Sequence, residues 1–169
     1  MLPPEIHIRR FTLKDARLFS KLRINIDNES DFLLAKKGER RDTGLHIIVK
    51  LIISQRRTVT FLAFDGKEAI GYVSLVFPKF LKLSGNAYLT IALREKYRGK
   101  GIGSMLMEKA ESFAKEKNIR RIELEVFGKN QPAIELYKKR DYQVEGIKKD
   151  AIQTPGGFDD IIIMTKRLH

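Results

Sequence analysis

The chain of 169 residues contains no cysteine and only three histidines. The absence of cysteine excludes disulfide bonds, zinc sites built from thiolates and a cysteine nucleophile. The histidines, His7, His46 and His169, stand isolated in the sequence, and none has the spacing of a metal-ligand cluster. We therefore expect no metal site and assign no histidine to catalysis.

Long apolar runs are also missing. No stretch of about 18 apolar residues occurs, so we expect no transmembrane helix. The segment Met1–Phe11 lacks the basic region and apolar core of a secretory signal, and a cytoplasmic location is the expectation. The length suits one domain over residues 1–169, and the chain contains no internal repeat or linker.

Charge is unbalanced: 33 lysines and arginines against 21 acidic residues give a net charge of +12. Such a chain could bind nucleic acid, an anionic surface or an anionic cofactor, or could simply have a basic solvated surface. The basic residues are spread along the chain without a long tail. No RNA-binding signature with interleaved aromatics and no Cys/His finger occurs, which disfavours a nucleic-acid partner.

Seven segments have the composition or alternation of β-strands. They are Ile6–Phe11, Val59–Phe64, Ala69–Phe77, Asn86–Glu95, Ile119–Phe127, Tyr142–Ile152 and Phe158–Leu168. The Asp65–Gly66 pair predicts a tight hairpin between the second and third. A strand–helix–strand crossover in the middle is therefore flanked by antiparallel hairpins.

Apolar residues with a period of 3.6 predict four helices. The first follows Thr12 and Asp15, which resemble a capping box with Asp in place of Glu, and runs to about Ile26. The other three are Thr43–Arg57, a helix after the glycine loop, and about Asn130–Arg140. In the second helix the residues predicted to share one apolar face are Leu45, Ile48, Val49, Ile52 and Ile53.

The loop Tyr97–Leu106, YRGKGIGSML, combines three glycines with two basic residues. Its spacing fits neither a Walker A loop nor the dinucleotide fingerprint. What remains is Arg98-x-x-Gly101-x-Gly103 at the start of a helix. Backbone N–H groups freed by the glycines and the helix N-terminus suit a pyrophosphate. On this loop alone, a plain strand-to-helix turn is the alternative.

A second motif follows Gly103 by 27 residues: Asn130, Ala133 and Tyr137 in NQPAIELY. The pair of motifs resembles the signature of the GNAT superfamily of acetyl-CoA-dependent N-acetyltransferases, Arg/Gln-x-x-Gly-x-Gly/Ala followed by Asn-x-x-Ala-x-x-x-Tyr. The resemblance covers nearly the whole chain. It implies a mixed α/β fold with a mostly antiparallel sheet of about seven strands, about four helices and splayed central parallel strands.

The resemblance also implies where acetyl-CoA would bind. Its pyrophosphate would lie on the backbone of the loop, and its pantetheine arm would pair with the preceding strand; a Cβ at Gly101 or Gly103 would then meet the pyrophosphate. The implied cofactor-binding residues are Ile91, Ala92, Leu93, Arg98, Gly99, Lys100, Gly101, Ile102, Gly103, Ser104, Asn130, Ala133 and Tyr137.

The implied reaction is attack of a neutral amine on a thioester, which needs an acid for the departing thiolate. Tyr137 is the residue that the resemblance assigns to this role; packing on an amphipathic helix is its structural alternative. Asn130 can also serve as a helix N-cap. The base is not identifiable, since Glu95, Glu123 and Glu125 also suit surface or strand-pairing positions.

The acceptor is the least defined part of the prediction. Glu29 and Asp31, in the polar stretch between the first two helices, could bind a cationic amine, or could lie in a solvated loop. Asp159 and Asp160, which we expect next to the acceptor cleft, have the same two interpretations. The pattern loosely resembles ribosomal-protein and polyamine N-acetyltransferases, which does not fix a substrate. The expected acceptor is a primary amine of a small molecule or a protein, and a homodimer is left open.

One position departs from the family pattern, because Asp141 stands where many members have a helix-ending glycine. We expect a local adjustment of that turn and an intact fold. The sequence thus predicts an N-acetyltransferase, with a non-catalytic acyl-CoA-binding or regulatory module as the alternative and a basic nucleic-acid-binding protein as a third reading.

Overall fold

The computed structural model describes residues 6–53 and 57–168; residues 1–5, 54–56 and 169 lie outside the described part. The strands are β1 Ile6–Arg10, β2 Thr58–Asp65, β3 Glu68–Val76, β4 Asn86–Leu93, β5 Arg121–Phe127, β6 Gln143–Thr154 and β7 Gly157–Arg167. The helices are α1 Ala16–Glu29, α2 Gly44–Ile53, α3 Ile102–Glu116 and α4 Gln131–Lys139.

All seven strands belong to one sheet in the order β1-β2-β3-β4-β5-β7-β6. Every neighbouring pair is antiparallel except β4 and β5. That parallel pair is joined only where Asn86–Tyr88 face Arg121–Glu123, and the two strands diverge beyond it. The mixed fold and the splayed central strands are therefore confirmed.

The sheet has an apolar core on each face, because successive residues of a strand point to opposite sides. Phe61 and Ala63 of β2 join the core beneath α3, in which Leu106 and Met107 are fully buried. Leu62 and Phe64 join the core beneath α1 and α2. The helices thus cover the sheet from both sides, with α3 and α1 on opposite faces.

The apolar face predicted for α2 is only partly correct, because Ile48 packs against the core as predicted but two other members of that face are exposed. Ile47 is the buried residue at 3% exposure, whereas Leu45 is 70% and Val49 44% exposed. The helix is apolar on nearly all sides, so its periodicity does not select a face. Contact with α1 does: a Cβ on Gly44 would lie 3.0 Å from Arg17 Cα. The side chains of Ile52 and Ile53 lie outside the described part.

The predicted cap of the first helix is present. The Asp15 carboxylate accepts hydrogen bonds from the Thr12 N–H at 2.8 Å and the Thr12 hydroxyl at 2.9 Å. It also receives both terminal nitrogens of Arg9 at 2.7 and 2.8 Å, and Arg9 holds the pKa of Asp15 well below its usual range. The cap therefore also joins β1 to α1.

Candidate functional site

A cleft of about 750 Å³ opens where β4 and β5 diverge. Consecutive residues of both strands line it, among them Thr90 and Ile91 on β4 and Leu124 and Glu125 on β5. Because consecutive strand residues point to opposite faces, the cleft passes between the strands and reaches both sides of the sheet. Beyond Tyr88, in the described part of the chain, the edge of β4 that faces β5 has no strand partner.

The glycine loop forms one end of the cleft. Arg98, Gly99, Gly101, Gly103 and Ser104 all line it. Gly99 and Gly101 have left-handed backbones, with φ of 72° and 80°, and a Cβ on either would meet no atom within 4 Å. The backbone at Gly99 and Gly101 is therefore exposed to open space. Helix α3 begins at Ile102, directly after Gly101.

The other loop residues have different surroundings. The Lys100 ammonium lies 5.5 Å from the ring centre of Tyr97, and Lys100 is not among the lining residues. Ile102 is fully buried, so only its backbone can serve a ligand. A Cβ on Gly103 would lie 3.1 Å from Leu136 Cδ2, so this glycine also lets α3 and α4 approach closely; that a Cβ here would meet a pyrophosphate stays a prediction.

The second motif lies at the N-cap of α4 and along that helix, which packs against α3. Asn130 is the N-cap of α4, and its side-chain oxygen accepts a hydrogen bond from the Ala133 N–H at 3.4 Å. Asn130, Ala133 and Tyr137 all line the cleft. The cap reading of Asn130 is thus confirmed, and it is compatible with a place in the site.

Tyr137 is 7% exposed, and its burial raises the pKa of the hydroxyl to about 12. The hydroxyl therefore holds its proton throughout the neutral range. The ring packs against Tyr142, with the two ring centres 6.0 Å apart. Tyr137 therefore packs in the interior, as its structural alternative predicts, and also lines the cleft.

A buried charge cluster fixes α4, and with it Tyr137, against α3. The Glu111 carboxylate receives two hydrogen bonds from Arg140, at 3.0 and 2.9 Å, and one from Lys166 at 2.9 Å. Burial alone would raise the pKa of Glu111, but these hydrogen bonds leave it lowered. The carboxylate remains charged and joins α3, α4 and β7.

The strand edge predicted to meet the pantetheine arm, Ile91, Ala92 and Leu93, also lines the cleft. The opposite edge of these residues pairs with Gly71, Tyr72 and Val73 of β3. The Leu93 carbonyl accepts a hydrogen bond of 3.3 Å from Arg98 Nε. The strand and the glycine loop thus meet within one continuous wall.

The segment after α1 forms a further wall, which the sequence did not indicate. Ser30, Phe32, Leu33 and Leu34 line the cleft, and the Phe32 ring lies perpendicular to that of Phe127 at 6.5 Å. No motif or period marks these residues. Their place depends on how the connection between α1 and α2 folds back over β5.

Glu29 and Asp31 do not line this cleft. The Glu29 carboxylate instead accepts hydrogen bonds from Arg94 Nε at 2.7 Å and from the Glu95 N–H at 2.9 Å, while Asp31 is exposed. The carboxylates among the lining residues are Glu123 and Glu125. Both also form the ion pairs expected of strand residues, Glu123 with Arg121 and Glu125 with Lys148.

Asp159 and Asp160 also lie outside the cleft lining. Asp159 is buried and accepts hydrogen bonds from the N–H groups of Lys129 and Asp160. Asp160 pairs with Lys149 at 2.7 Å. Both carboxylates therefore hold the connection before α4 and the β6–β7 hairpin.

In residues 6–53 and 57–168, no three His, Asp or Glu side chains are grouped as metal ligands. Within the same residues, no helix is both long and apolar enough to cross a membrane.

The cleft suits a long anionic cofactor. Free N–H groups at the start of a helix bind phosphate, and the left-handed glycines keep the approach to that helix clear of side chains. Arg98 adds a guanidinium at the same end, and the unpaired β4 edge leads from there between the strands. These features fit a pyrophosphate followed by an extended, strand-like arm.

Curated relatives match the chain over part of its length. A Bacillus subtilis protein provisionally named a ribosomal protein bS18-alanine N-acetyltransferase is 42% identical over 73 residues, which is 43% of this chain and 48% of the relative. The L-amino acid N-acetyltransferase of Escherichia coli K12 is 30% identical over 103 residues, 60% of this chain and 63% of the relative. The matches thus span about half to two-thirds of these relatives.

A solved structure covers the whole fold. The GNAT-family acetyltransferase of Streptococcus pneumoniae superposes with a TM-score of 0.90 and 27% identity, over 97% of this chain and all of that one. The model of the acetyltransferase (GNAT) family matches residues 22–142, which include both motifs and most of the cleft lining. The chain belongs to the acetyltransferase (GNAT) family.

Proposed function

We propose that the protein is an N-acetyltransferase that transfers acetyl from acetyl-CoA to a primary amine. The observation that carries the proposal is the meeting of two distant motifs in one cleft. Residues from both segments, Arg98–Ser104 and Asn130–Tyr137, line the gap between the diverging strands β4 and β5. Membership of the GNAT family supports the same reaction.

The residues that would hold acetyl-CoA follow from the cleft. The N–H groups from Gly99 to Ser104 would bind the pyrophosphate, with Arg98 as the charged partner. Ile91–Leu93 would offer main-chain groups to the pantetheine arm. Lys100 would act only through its backbone or at long range, because its side chain lies outside the lining.

Bound acetyl-CoA would supply an acetyl group activated as a thioester. Tyr137 holds a proton on Oη inside the cleft and would donate it as a general acid, because its raised pKa keeps the hydroxyl neutral. Glu123 and Glu125 place carboxylates in the same cleft. They would attract a cationic amine and accept its proton, directly or through water.

The acceptor is proposed as a primary amine of either a small molecule or a protein. The two curated relatives represent both classes, one named for a ribosomal protein and the other for L-amino acids. The apolar side chains of Phe32–Leu34 line the same cleft as the carboxylates Glu123 and Glu125, which suits an amine that carries an apolar group.

Release of coenzyme A thiol from acetyl-CoA, measured with a panel of amines, tests the reaction. The chain has no cysteine, so a thiol reagent sees only the product. Amine-dependent release supports the transferase. Calorimetric binding of acetyl-CoA without release by any amine would instead indicate a non-catalytic acyl-CoA-binding module. No binding at millimolar acetyl-CoA would refute both.

A further inference from the structure

Glu29 connects two walls of the cleft without lining it. It is the last residue of α1, directly before the lining segment Ser30–Leu34. Its Oε1 accepts a hydrogen bond from Arg94 Nε at 2.7 Å, and its Oε2 accepts one from the Glu95 N–H at 2.9 Å. Each carboxylate oxygen therefore has its own partner, 65 and 66 residues away along the chain.

The partners of Glu29 belong to the cofactor side of the cleft. Arg94 directly follows β4, and Glu95 begins a short 3-10 turn, Glu95–Tyr97, that leads into the glycine loop. The end of that turn is held by Tyr97, a buried residue whose hydroxyl donates to Asp65 at 2.9 Å and lies 3.4 Å from Glu68 Oε2. This three-residue turn separates the Glu29 bridge from the glycine loop, so the two have little freedom to move independently.

The far end of the α1–α2 connection is anchored as well. Arg40 pairs with the buried carboxylate of Asp27 on α1 and lies 3.5 Å from Asp42. Arg23 of α1 reaches Asp42 at 3.3 Å. The connection is therefore held at both ends. Between these anchors lie the residues that line the cleft, among them Phe32, whose ring contacts that of Phe127.

We infer that Glu29 is a positioning residue that couples acetyl-CoA binding at the glycine loop to the order of the wall Ser30–Leu34. The inference rests on the proposed function, because it takes the glycine loop as the acetyl-CoA site. A ligand that fixes the Arg94–Ser104 segment also fixes the carboxylate bridge, so the opposite wall becomes more ordered. Two sites linked through one element share a coupling free energy in this way.

Glu68 supplies a matched control. It accepts hydrogen bonds from Arg94 Nη1 at 3.1 Å, from Lys96 at 3.2 Å and from the Tyr97 hydroxyl at 3.4 Å, but it begins β3 and not the wall. Glu29→Gln removes the charge. It also places an amide NH₂, which is itself a donor, against either Arg94 Nε or the Glu95 N–H. Glu68→Gln makes the same chemical change on the other side of Arg94 and leaves the wall's own link intact.

The test is hydrogen–deuterium exchange with and without acetyl-CoA, which needs no acceptor. The readout is the ratio of exchange rates in the two states, so a general loosening by a substitution cancels. In the wild type we expect acetyl-CoA to slow exchange at residues 98–104 and, at least about fivefold, at 30–34. Glu29→Gln should lose the effect at 30–34 and keep it at 98–104, while Glu68→Gln should keep both.

Three results would each overturn the coupling. The first is slowing at residues 30–34 that survives in Glu29→Gln. The others are no slowing at these residues in the wild type, and an equal loss of the slowing in Glu68→Gln. Absence of slowing at 98–104 in the wild type is a different failure, because it refutes acetyl-CoA binding at the loop and the proposed function with it.

Discussion

At the scale of single residues, Tyr137 and Tyr142 show how neighbouring side chains of one type take different roles. Their ring centres lie 6.0 Å apart, but only Tyr137 lines the cleft. The Tyr142 hydroxyl is buried and has no hydrogen-bond partner in the described part of the chain. Removing each hydroxyl therefore separates catalysis from packing.

We predict that Tyr137→Phe lowers kcat and kcat/KM together by about 10²-fold, because it removes an acid that acts in the transition state. Acetyl-CoA affinity, measured by calorimetry, should change less than about twofold, since the ring remains. Tyr142→Phe is the control and should keep kcat, because removing an unpaired buried hydroxyl is close to neutral for the fold. Full kcat in Tyr137→Phe would mean that the hydroxyl only packs.

The pH dependence gives a second test of Tyr137. An ordinary tyrosine loses its proton near pH 10, whereas burial raises the pKa of this hydroxyl to about 12. Since the protonated form is the active acid and the shift is upward, kcat should show no fall attributable to this group as the pH rises through 10. A descending limb near pH 10 that disappears in Tyr137→Phe would show that the hydroxyl is solvated and not buried as described.

At the scale of elements, the turn that follows α4 contains a residue whose backbone conformation is unfavourable for its type. Asp141 takes a left-handed backbone with φ of 66°, the conformation that a glycine would adopt. The turn closes normally, with the Tyr142 N–H donating to the Tyr137 carbonyl at 3.0 Å. The expected intact fold is observed, and Asp141 itself accommodates the turn.

Asp141→Gly should therefore raise the free energy of unfolding, by about 0.5–1 kcal/mol, because glycine carries little left-handed penalty. Urea denaturation measures the change. Lys139→Gly, at the last residue of the same helix, should have the opposite sign, since glycine is unfavourable at a helical φ. If both variants lose stability, the left-handed turn at Asp141 is not strained.

The start of α3 provides a paired test of two glycines. Gly101→Ala places a side chain at φ of 80° with open space around it, whereas Gly103→Ala presses on Leu136. We expect Gly101→Ala to weaken acetyl-CoA binding at least about tenfold, because the loop relaxes from the shape that exposes its N–H groups. Gly103→Ala should leave acetyl-CoA affinity within about twofold, and its net effect on stability should stay within about 1 kcal/mol, because the helical preference of alanine offsets the pressure on Leu136. Calorimetry and urea denaturation separate the two; the reverse assignment would place the phosphate nearer Gly103.

At the scale of the whole molecule, the net charge of +12 should steer an anionic cofactor. Salt screens such attraction beyond about 10 Å at 0.1 M ionic strength. We expect the association rate of acetyl-CoA, measured by stopped flow, to fall several-fold between low and moderate salt. Pantetheine, which lacks the phosphates, should show little change. Equal salt dependence for both ligands would exclude steering by charge.

The sequence by itself determined much of this protein. Alternation and period predicted seven strands and four helices, because each buries a face that repeats every 2 or 3.6 residues. The glycines before α3 and the N-cap role of Asn130 could also be predicted, because left-handed backbone angles and free helix N–H groups favour particular residue types. Two short motifs were enough to indicate the cleft in which we propose that acetyl-CoA binds.

Only the tertiary structure decided which polar and apolar residues meet in that cleft. The sequence predicts that Glu29 either binds a cationic acceptor or lies in a solvated loop, but it bridges to Arg94 and Glu95, while Phe32–Leu34 form the wall. The face of α2 was likewise set by contact with α1 at Gly44. These outcomes depend on pairings between residues tens of positions apart, and a local pattern carries no information about which distant partner will be nearest.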